Sequence, residues 1–258
     1  MEDRAGRMGT ETVNPATEML SREELRDRLL AVGARRYHHL HPFHLRMHEG
    51  LLSRGQMQAW ALNRYYYQSR IPIKDAILLS KSEDPAFRRA WRKRILDHDG
   101  DLDGYGGVEK WIRLAEATGL SREQVIPCVG VLPGVRYAVD AYLALVRDSP
   151  LLVAVASSLT ELFSRDLIAL RIDKLRLHYP YMVEGLAYFE GRLTQAPEDA
   201  EFALDYVSTH AETRSQQEQV VAALEQKCAI LWAQLDAIDY AYVSPGNIPP
   251  GCFLPQCT

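Results

Sequence analysis

Apolar residues recur every three to four positions over most of this chain, which is the spacing of amphipathic helices. The pattern begins at Ser21, which fits a capping box with Glu24 and opens a helix through about Val32. A second box, Ser53 with Gln56, opens the aromatic segment SRGQMQAWALNRYYYQSR. Both boxes predict where a helix starts.

Proline and serine mark the predicted interruptions. Pro72 breaks or kinks the aromatic helix, residues 150–178 form one long helix bent near Ser164, and YMVEGLAYFEGRL forms a helix that Pro197 ends. No segment has the pattern of a strand, a hairpin or a βαβ unit. The predicted fold is therefore all-α, a compact bundle of roughly eight helices with ligand sites between them. Three parts are predicted along the chain: a flexible leader at 1–20, one helical-bundle catalytic domain at 21–243 and an extended tail at 244–258.

Composition excludes several classes of protein. The 258 residues hold 30 Lys and Arg against 34 Asp and Glu, so the whole chain is neither a polybasic nucleic-acid binder nor disordered. Its four scattered cysteines lack the spacing of a zinc ribbon or a disulfide framework. The longest apolar stretch, Leu151–Ala156, is far shorter than the roughly 20 residues that span a bilayer. A cytoplasmic protein without nucleic-acid or membrane partners is predicted.

Histidines cluster in RRYHHLHPFHLRMHEG. If a helix begins at Pro42, His44 and His48 share one face at i, i+4, a spacing that can bind a metal. A catalytic metal usually needs a third protein ligand, and no HExxH or Glu-x-x-His helix pair occurs. The alternative is a partly solvated helix that happens to be rich in histidine.

Polar side chains recur on helix faces that otherwise look buried. The pairs Arg64 with Gln68, Arg94 with His98 and Tyr188 with Arg192 each stand at i, i+4. Thr160 with Glu161, and Lys227, interrupt apolar runs. Each one alone is more often solvated, but together they predict a polar cavity inside the bundle. Arginine in such a cavity favours a carboxylate or a phosphate.

Seven segments in order resemble the pyrroloquinoline-quinone (PQQ) synthase family, over about residues 21–250: RRYHHLHPFH, ALNRYYYQSRIPIKDA, RILDHDGD, LPGVRYAVDAY, SSLTELF, YFEGRL and KCAILWAQLDA. The resemblance implies a heme-oxygenase-like (TENA-type) bundle, usually a homodimer, and a possible PQQ carrier protein as partner. It also implies the substrate AHQQ, a fused-ring quinone precursor with several carboxylates. Its ring is closed and it is oxidised to PQQ by molecular oxygen, with release of hydrogen peroxide and without metal or organic cofactor.

The resemblance also assigns residues by position. The expected catalytic residues are His98, Tyr188, Arg192, His38 and Glu161, with His98 as the leading proton-transfer group. The expected substrate-binding residues are Tyr37, Arg64, Gln68, Lys74, Arg94, Tyr142, Thr160, Arg171 and Lys227. Some family members carry a histidine three residues before the arginine that matches Arg171, where this chain has Ile168, so that histidine's role does not transfer.

Two other functions stay open at this point. One is a metal-dependent oxygenase of the di-iron type on the same fold, which His44, His48 and the pair Glu161 with His98 would motivate. Such enzymes place further ligands where this chain has Trp91, Tyr188 and Arg192. The other is a PQQ-binding module that keeps the pocket without turnover, because a fold alone does not fix a function.

Overall fold

The computed structural model describes residues 18–102 and 104–255, and within these ranges the chain is helical and contains no strand. The predicted leader lies almost wholly outside the described residues. Twelve α-helices occur in the described ranges: α1 (Arg22–Arg36), α2 (Pro42–His48), α3 (Arg54–Gln68), α4 (Ile71–Leu79), α5 (Pro85–Asp99), α6 (Gly107–Ala117), α7 (Arg122–Val125), α8 (Pro133–Asp148), α9 (Leu151–Ala156), α10 (Ser164–His178), α11 (Ala187–His210) and α12 (Arg214–Tyr242). Three 3₁₀ segments join them: His38–Leu40, Leu159–Phe163 and Pro180–Gly185.

Both predicted capping boxes are formed. The Ser21 hydroxyl accepts from the Glu24 amide at 3.2 Å, and the Glu24 carboxylate accepts from the Ser21 amide at 2.8 Å. The same exchange links Ser53 and Gln56 at the start of α3. Pro72 stands in the first turn of α4, where its missing N–H costs nothing, so the chain starts a new helix there.

The single long helix predicted over 150–178 was wrong, because the chain forms three segments there: α9, the 3₁₀ segment Leu159–Phe163 and α10. Two serines explain the break. The Ser157 hydroxyl donates to the Ala154 carbonyl at 2.7 Å, and the Ser164 hydroxyl donates to the Glu161 carbonyl at 2.8 Å. These bonds compete with the regular helical ladder. The tighter 3₁₀ turn between the serines carries Thr160 and Glu161 into the interior.

The prediction that Pro197 ends a helix was also wrong, because α11 runs through it to His210. Buried alanines on both sides, Ala196, Ala200 and Ala203, pack this stretch into the bundle. Such tertiary packing outweighs the cost of one proline within a helix.

The longest helix, α12, packs against α8, α1 and α9, while α4 packs on α5 and α10 on α11. Trp60, Trp91 and Trp111 are the largest fully buried side chains. No described helix is both long and apolar enough to cross a membrane.

Beyond Tyr242 the chain turns back along the bundle. The Phe253 amide donates to the Gly130 carbonyl at 2.9 Å, and the Tyr242 hydroxyl donates to the Phe253 carbonyl at 3.0 Å. Phe253 thus lies against the loop between α7 and α8.

Candidate active site

A cavity of about 120 Å³ lies between α3, α4, α5, α8, α10 and α11. The i, i+4 pairs on α3, α5 and α11 point into it together, as their spacing predicted. Every residue that the family resemblance assigned lines the cavity except Lys227: Tyr37, His38, Arg64, Gln68, Lys74, Arg94, His98, Tyr142, Thr160, Glu161, Arg171, Tyr188 and Arg192.

Lys227 stands one layer behind the cavity wall. Its ammonium donates to the Tyr67 hydroxyl at 2.9 Å and lies 3.0 Å from the centre of the Tyr142 ring. Burial, and then the charge of Arg64, lower the pKa of Lys227 well below its ordinary value. An anion inside the cavity would favour its charged form again.

One wall of the cavity is an ion-pair network in which three cations meet three carboxylates: Lys74, Arg94 and Arg192 with Asp75, Glu161 and Asp199. Glu161 joins two of the cations, because it pairs with Arg94 and also lies 2.9 Å from Arg192. Asp199 lies 3.1 Å from Arg192. The charges of this wall balance.

The same network shifts the pKa values of its carboxylates in opposite directions. Burial disfavours the charged form of Glu161, but Arg94 and Arg192 outweigh it and lower the pKa of Glu161. Burial and the nearby charge of Glu161 raise the pKa of Asp199 to about 6. Glu161 is therefore the more firmly ionised of the two.

A second part of the cavity wall holds cations that no described carboxylate pairs within 4 Å. Arg64 donates to the Gln234 side chain at 3.2 Å and stacks 3.9 Å from the centre of the Tyr67 ring. Arg171 is buried, and its Nε and Nη2 have no hydrogen-bond partner among the described atoms. Burial lowers the pKa of Arg171 to about 10, so it stays charged at neutral pH. This wall is built to receive an anion.

His98 is held in one tautomer. Its Nδ1–H donates to the Arg94 carbonyl at 2.9 Å, which leaves Nε2 without a proton. Burial, and then the charge of Arg192, lower the pKa of His98 to about 4. A neutral imidazole whose free nitrogen can accept a proton fits a general base.

The histidine pair suggested as metal ligands lies on α2, which begins at Pro42 as expected. The His44 Nδ1–H donates to the His38 carbonyl at 2.9 Å, and the His44 and His48 rings stack with centres 6.3 Å apart. Among the described residues, no group of three His, Cys, Asp or Glu side chains could hold a metal ion.

Aromatic rings complete the cavity. Tyr188 donates from its hydroxyl to the Gln68 side chain at 3.0 Å and stands edge-on to Trp111 at 4.9 Å. Tyr67 and Tyr142 stack on each other across 6.2 Å. Such faces suit a flat ring with carboxylates at its rim.

Residues 26–237 match the model of the TENA/THI-4/PQQC family. The chain belongs to this family. A pyrroloquinoline-quinone synthase of Granulibacter bethesdensis is 54% identical over 239 residues, which cover 92% of this chain and 94% of that one. A bifunctional coenzyme PQQ synthesis protein C/D of Methylorubrum extorquens is 52% identical and matches 93% of this chain but 66% of its own length.

Comparison with solved structures shows that the fold is that of TenA homologues. A TenA homologue from Pseudomonas syringae superposes with a TM-score of 0.68 at 13% identity, over 89% of this chain and 98% of that one. The predicted all-α TENA-type bundle is confirmed.

Sequence reasoning missed several residues of the candidate active site of this TENA/THI-4/PQQC family member. Asp75 and Asp199, which neutralise the ionic wall, were not predicted. Asp75 directly follows Lys74 in IPIKDA, and Asp199 stands two turns after Arg192, beyond the predicted helix end at Pro197. Trp111 and His44 also line the cavity. Ile168 lines it too, so the cavity wall is apolar at this position.

Proposed function

We propose that this protein is a pyrroloquinoline-quinone synthase. It closes the ring of AHQQ and oxidises the product to PQQ with molecular oxygen, releasing hydrogen peroxide. The observation that carries this proposal is the cavity wall whose cations, Arg64 and Arg171, have no carboxylate partner among the described residues. Relatives that carry the synthase name at 54% identity over nearly the whole chain support it.

Substrate carboxylates fit the unbalanced wall. Arg171 offers Nε and Nη2, which form the fork that binds a carboxylate through two bonds. The Arg64 guanidinium stacks on the Tyr67 ring, so it can bind a second carboxylate while it stays stacked. Ring closure is intramolecular, and a substrate held at several carboxylates is already oriented for it.

Proton removal falls to His98. Its Nε2 is unprotonated at neutral pH, and the Arg94 carbonyl fixes the ring from behind. Glu161 and Tyr188 stand in the same cavity and can relay further protons. These steps convert the closed ring into an electron-rich quinol.

The quinol passes electrons directly to dioxygen. Each oxidation that transfers one electron pair and two protons turns one dioxygen into one hydrogen peroxide. Arg192 is the cation placed to stabilise the negative charge that develops on oxygen, and it is held at a fixed position by Glu161 and Asp199. No step in this scheme requires a metal ion or an organic cofactor.

Aerobic incubation with AHQQ tests the proposal. We expect PQQ to form with matching consumption of oxygen and release of peroxide. Binding of PQQ without turnover of AHQQ would favour the non-catalytic binding module. Turnover that needs stoichiometric iron or manganese, measured by elemental analysis of the purified protein, would favour the metal-dependent oxygenase.

Site variants test the assigned roles. In His98→Ala and Arg192→Ala, we expect a folded bundle that binds AHQQ but oxidises it far more slowly after anaerobic mixing and admission of oxygen. Arg192→Lys keeps the charge and should recover part of the oxidation rate. Full turnover by both alanine variants would contradict these roles.

We further propose that the protein is a cytoplasmic homodimer that passes its product to a carrier protein. The relative of M. extorquens is named as a bifunctional protein and is longer than the region that matches this chain, which supports a second protein that acts together with this one. Light scattering of the purified protein checks the dimer, and a mass of a single chain would contradict it. Pull-down with a candidate carrier, with and without PQQ, checks the transfer partner.

A further inference from the structure

A second hollow, of about 430 Å³, lies on the outer side of Glu161. We call it the arginine groove, because Arg22 and Arg26 of α1 and Arg165 of α10 line it. Its floor comes from α11, at Pro197, Ala200 and Leu204. Nothing in the proposed reaction uses this groove.

One layer of side chains separates the groove from the catalytic cavity. Within residues 159–168, Thr160 and Ser164 line the cavity, whereas Leu162 and Arg165 line the groove. Glu161 lines both hollows, and its side chain keeps 19% of its surface exposed. Glu161 is thus the shared wall of the two spaces. It belongs to a 3₁₀ segment, whose hydrogen bonds are weaker than those of an α-helix.

The outer part of the groove carries free positive charge. Arg26 and Arg165 are exposed, and neither makes a hydrogen bond or an ion pair with a described residue. Arg22 pairs with Asp205 at 2.9 Å. Glu201 is the only carboxylate besides Glu161 in the described lining, and Glu161 is already neutralised by Arg94 and Arg192.

Cations therefore continue from the surface to the catalytic cavity. Arg26 and Arg165 stand outside Glu161, whereas Arg94 and Arg192 stand inside it. An arriving carboxylate can meet the outer arginines first and then compete with Glu161 for the inner pair.

We infer that the arginine groove is the entrance through which a polycarboxylate ligand reaches the catalytic cavity, with Arg26 and Arg165 attracting it and the Glu161 side chain acting as the gate. This inference rests on the proposed function, because it takes the substrate and product of that reaction as the ligand. A charged cleft raises the association rate of an oppositely charged ligand, and salt suppresses the effect.

The test measures the association and dissociation rates of PQQ by stopped-flow at low and high salt. The variant is Arg26→Glu with Arg165→Glu, and the matched control is Arg35→Glu with Arg89→Glu, two exposed arginines outside the groove. Both double variants change the net charge equally. We expect the groove variant to lower the association rate about tenfold at low salt, and the control to lower it less than twofold.

The dissociation rate separates an entrance from a binding site. Reversing the charge of residues on the entry route raises the barrier to ligand passage in both directions. Dissociation of PQQ should therefore slow along with its association, and the Kd should change little. In 0.5 M salt the wild-type protein and both variants should associate at similar rates.

Four results would overturn the inference. The first is an association rate of PQQ that is unchanged in the groove variant, and the second is an equal loss of association rate in the control variant. The third is faster dissociation of PQQ from the groove variant at an unchanged association rate, and the fourth is a wild-type protein that does not bind PQQ. The last result would also defeat the proposed function. The other three leave that function intact and remove the entrance alone.

Discussion

Buried cations around the cavity differ in whether a carboxylate neutralises them. Arg94 lies among Asp75, Glu161 and Asp199, whereas two nitrogens of Arg171 have no hydrogen-bond partner among the described atoms. A buried charge without a partner costs stability in the empty protein. Under the proposed function, a substrate carboxylate would supply the partner that Arg171 lacks in the empty protein.

Replacing Arg171 with an apolar residue of similar length should stabilise the empty protein. In Arg171→Met, we expect the free energy of unfolding to rise by about 1–3 kcal/mol, because an unpaired charge leaves the interior. Binding of PQQ should weaken at least 100-fold in the same variant. Chemical denaturation and equilibrium titration measure the two effects.

Arg94→Met is the matched control. It leaves three buried carboxylates short of a cation, so we expect it to destabilise the protein by about 3–5 kcal/mol. Destabilisation by Arg171→Met to the same extent would show that both arginines are structural.

His48 couples stability to pH. Burial, and then the charge of Arg171, lower the pKa of His48 to about 4, below the ordinary value of 6.5. Between these two values the unfolded chain binds a proton that the folded protein does not, so stability falls as the pH falls through this window. From pH 7 to pH 5, His48 should account for about 2 kcal/mol of the loss in unfolding free energy.

His48→Gln should therefore reduce the loss of stability between pH 7 and pH 5 by about that amount, a shift that denaturation at the two pH values measures. The control is His210→Gln, on the exposed surface of α11. An identical pH slope in wild type and His48→Gln would mean that His48 has the same pKa in the folded protein as in the unfolded chain.

Helix starts and the break near Pro72 were predictable from the sequence, whereas the break within residues 150–178 and the passage of α11 through Pro197 were not. A capping box uses residues that are three positions apart, so Ser21 and Ser53 revealed the starts of α1 and α3 by themselves. The break at Leu159–Phe163 depends on two serine hydroxyls that donate to backbone carbonyls. The continuation of α11 through Pro197 depends on packing against helices that are distant in the sequence. Neither is encoded within a short window.

Two helix-interior glycines should respond oppositely to alanine. A Cβ at Gly191 in α11 would meet Gln195 and Lys110 only at 3.8 Å, an ordinary contact. Gly191→Ala should raise the free energy of unfolding by about 0.5–1 kcal/mol, because alanine favours the helix and restricts the unfolded chain. Thermal or chemical denaturation measures this gain.

Gly33 in α1 is the matched position. A Cβ there would overlap the ring of Phe163, which belongs to the 3₁₀ segment that carries Glu161. Gly33→Ala should lower stability by about 1–3 kcal/mol because the ring must move. Stabilisation by both substitutions would mean that α1 and this segment do not pack closely.

At the scale of the whole molecule, most residues of the site were predictable, but Asp75, Asp199 and the charge balance that they create were not. Spacing and resemblance named residues from seven α-helices and from the segments between them, and the fold brings all of them except Lys227 to one cavity. The division into a neutral wall and an unpaired wall depends on Asp75 and Asp199, which reach Arg94 of α5 only through tertiary packing. Pairing across the bundle has no signature in a single sequence.

This division predicts how a ligand stabilises the whole protein. A ligand that binds only the folded state stabilises it by about 2.7 kcal/mol at 100 times its Kd. For a chain of this size, that corresponds to a rise of roughly 5–10 °C in Tm. We expect PQQ to produce this rise in the wild-type protein at low salt, and thermal unfolding monitored by circular dichroism measures it.

Two variants locate the origin of the stabilisation. At the wild-type saturating concentration, Arg171→Met should lose most of the rise in Tm, because its binding wall lacks the unpaired charge. Arg26→Glu with Arg165→Glu should keep the rise, because an equilibrium shift depends on the bound state and not on the route to it. If the groove variant lost the rise in Tm, or if Arg171→Met kept it, the assignment of carboxylate binding to the wall that holds Arg64 and Arg171 would be contradicted.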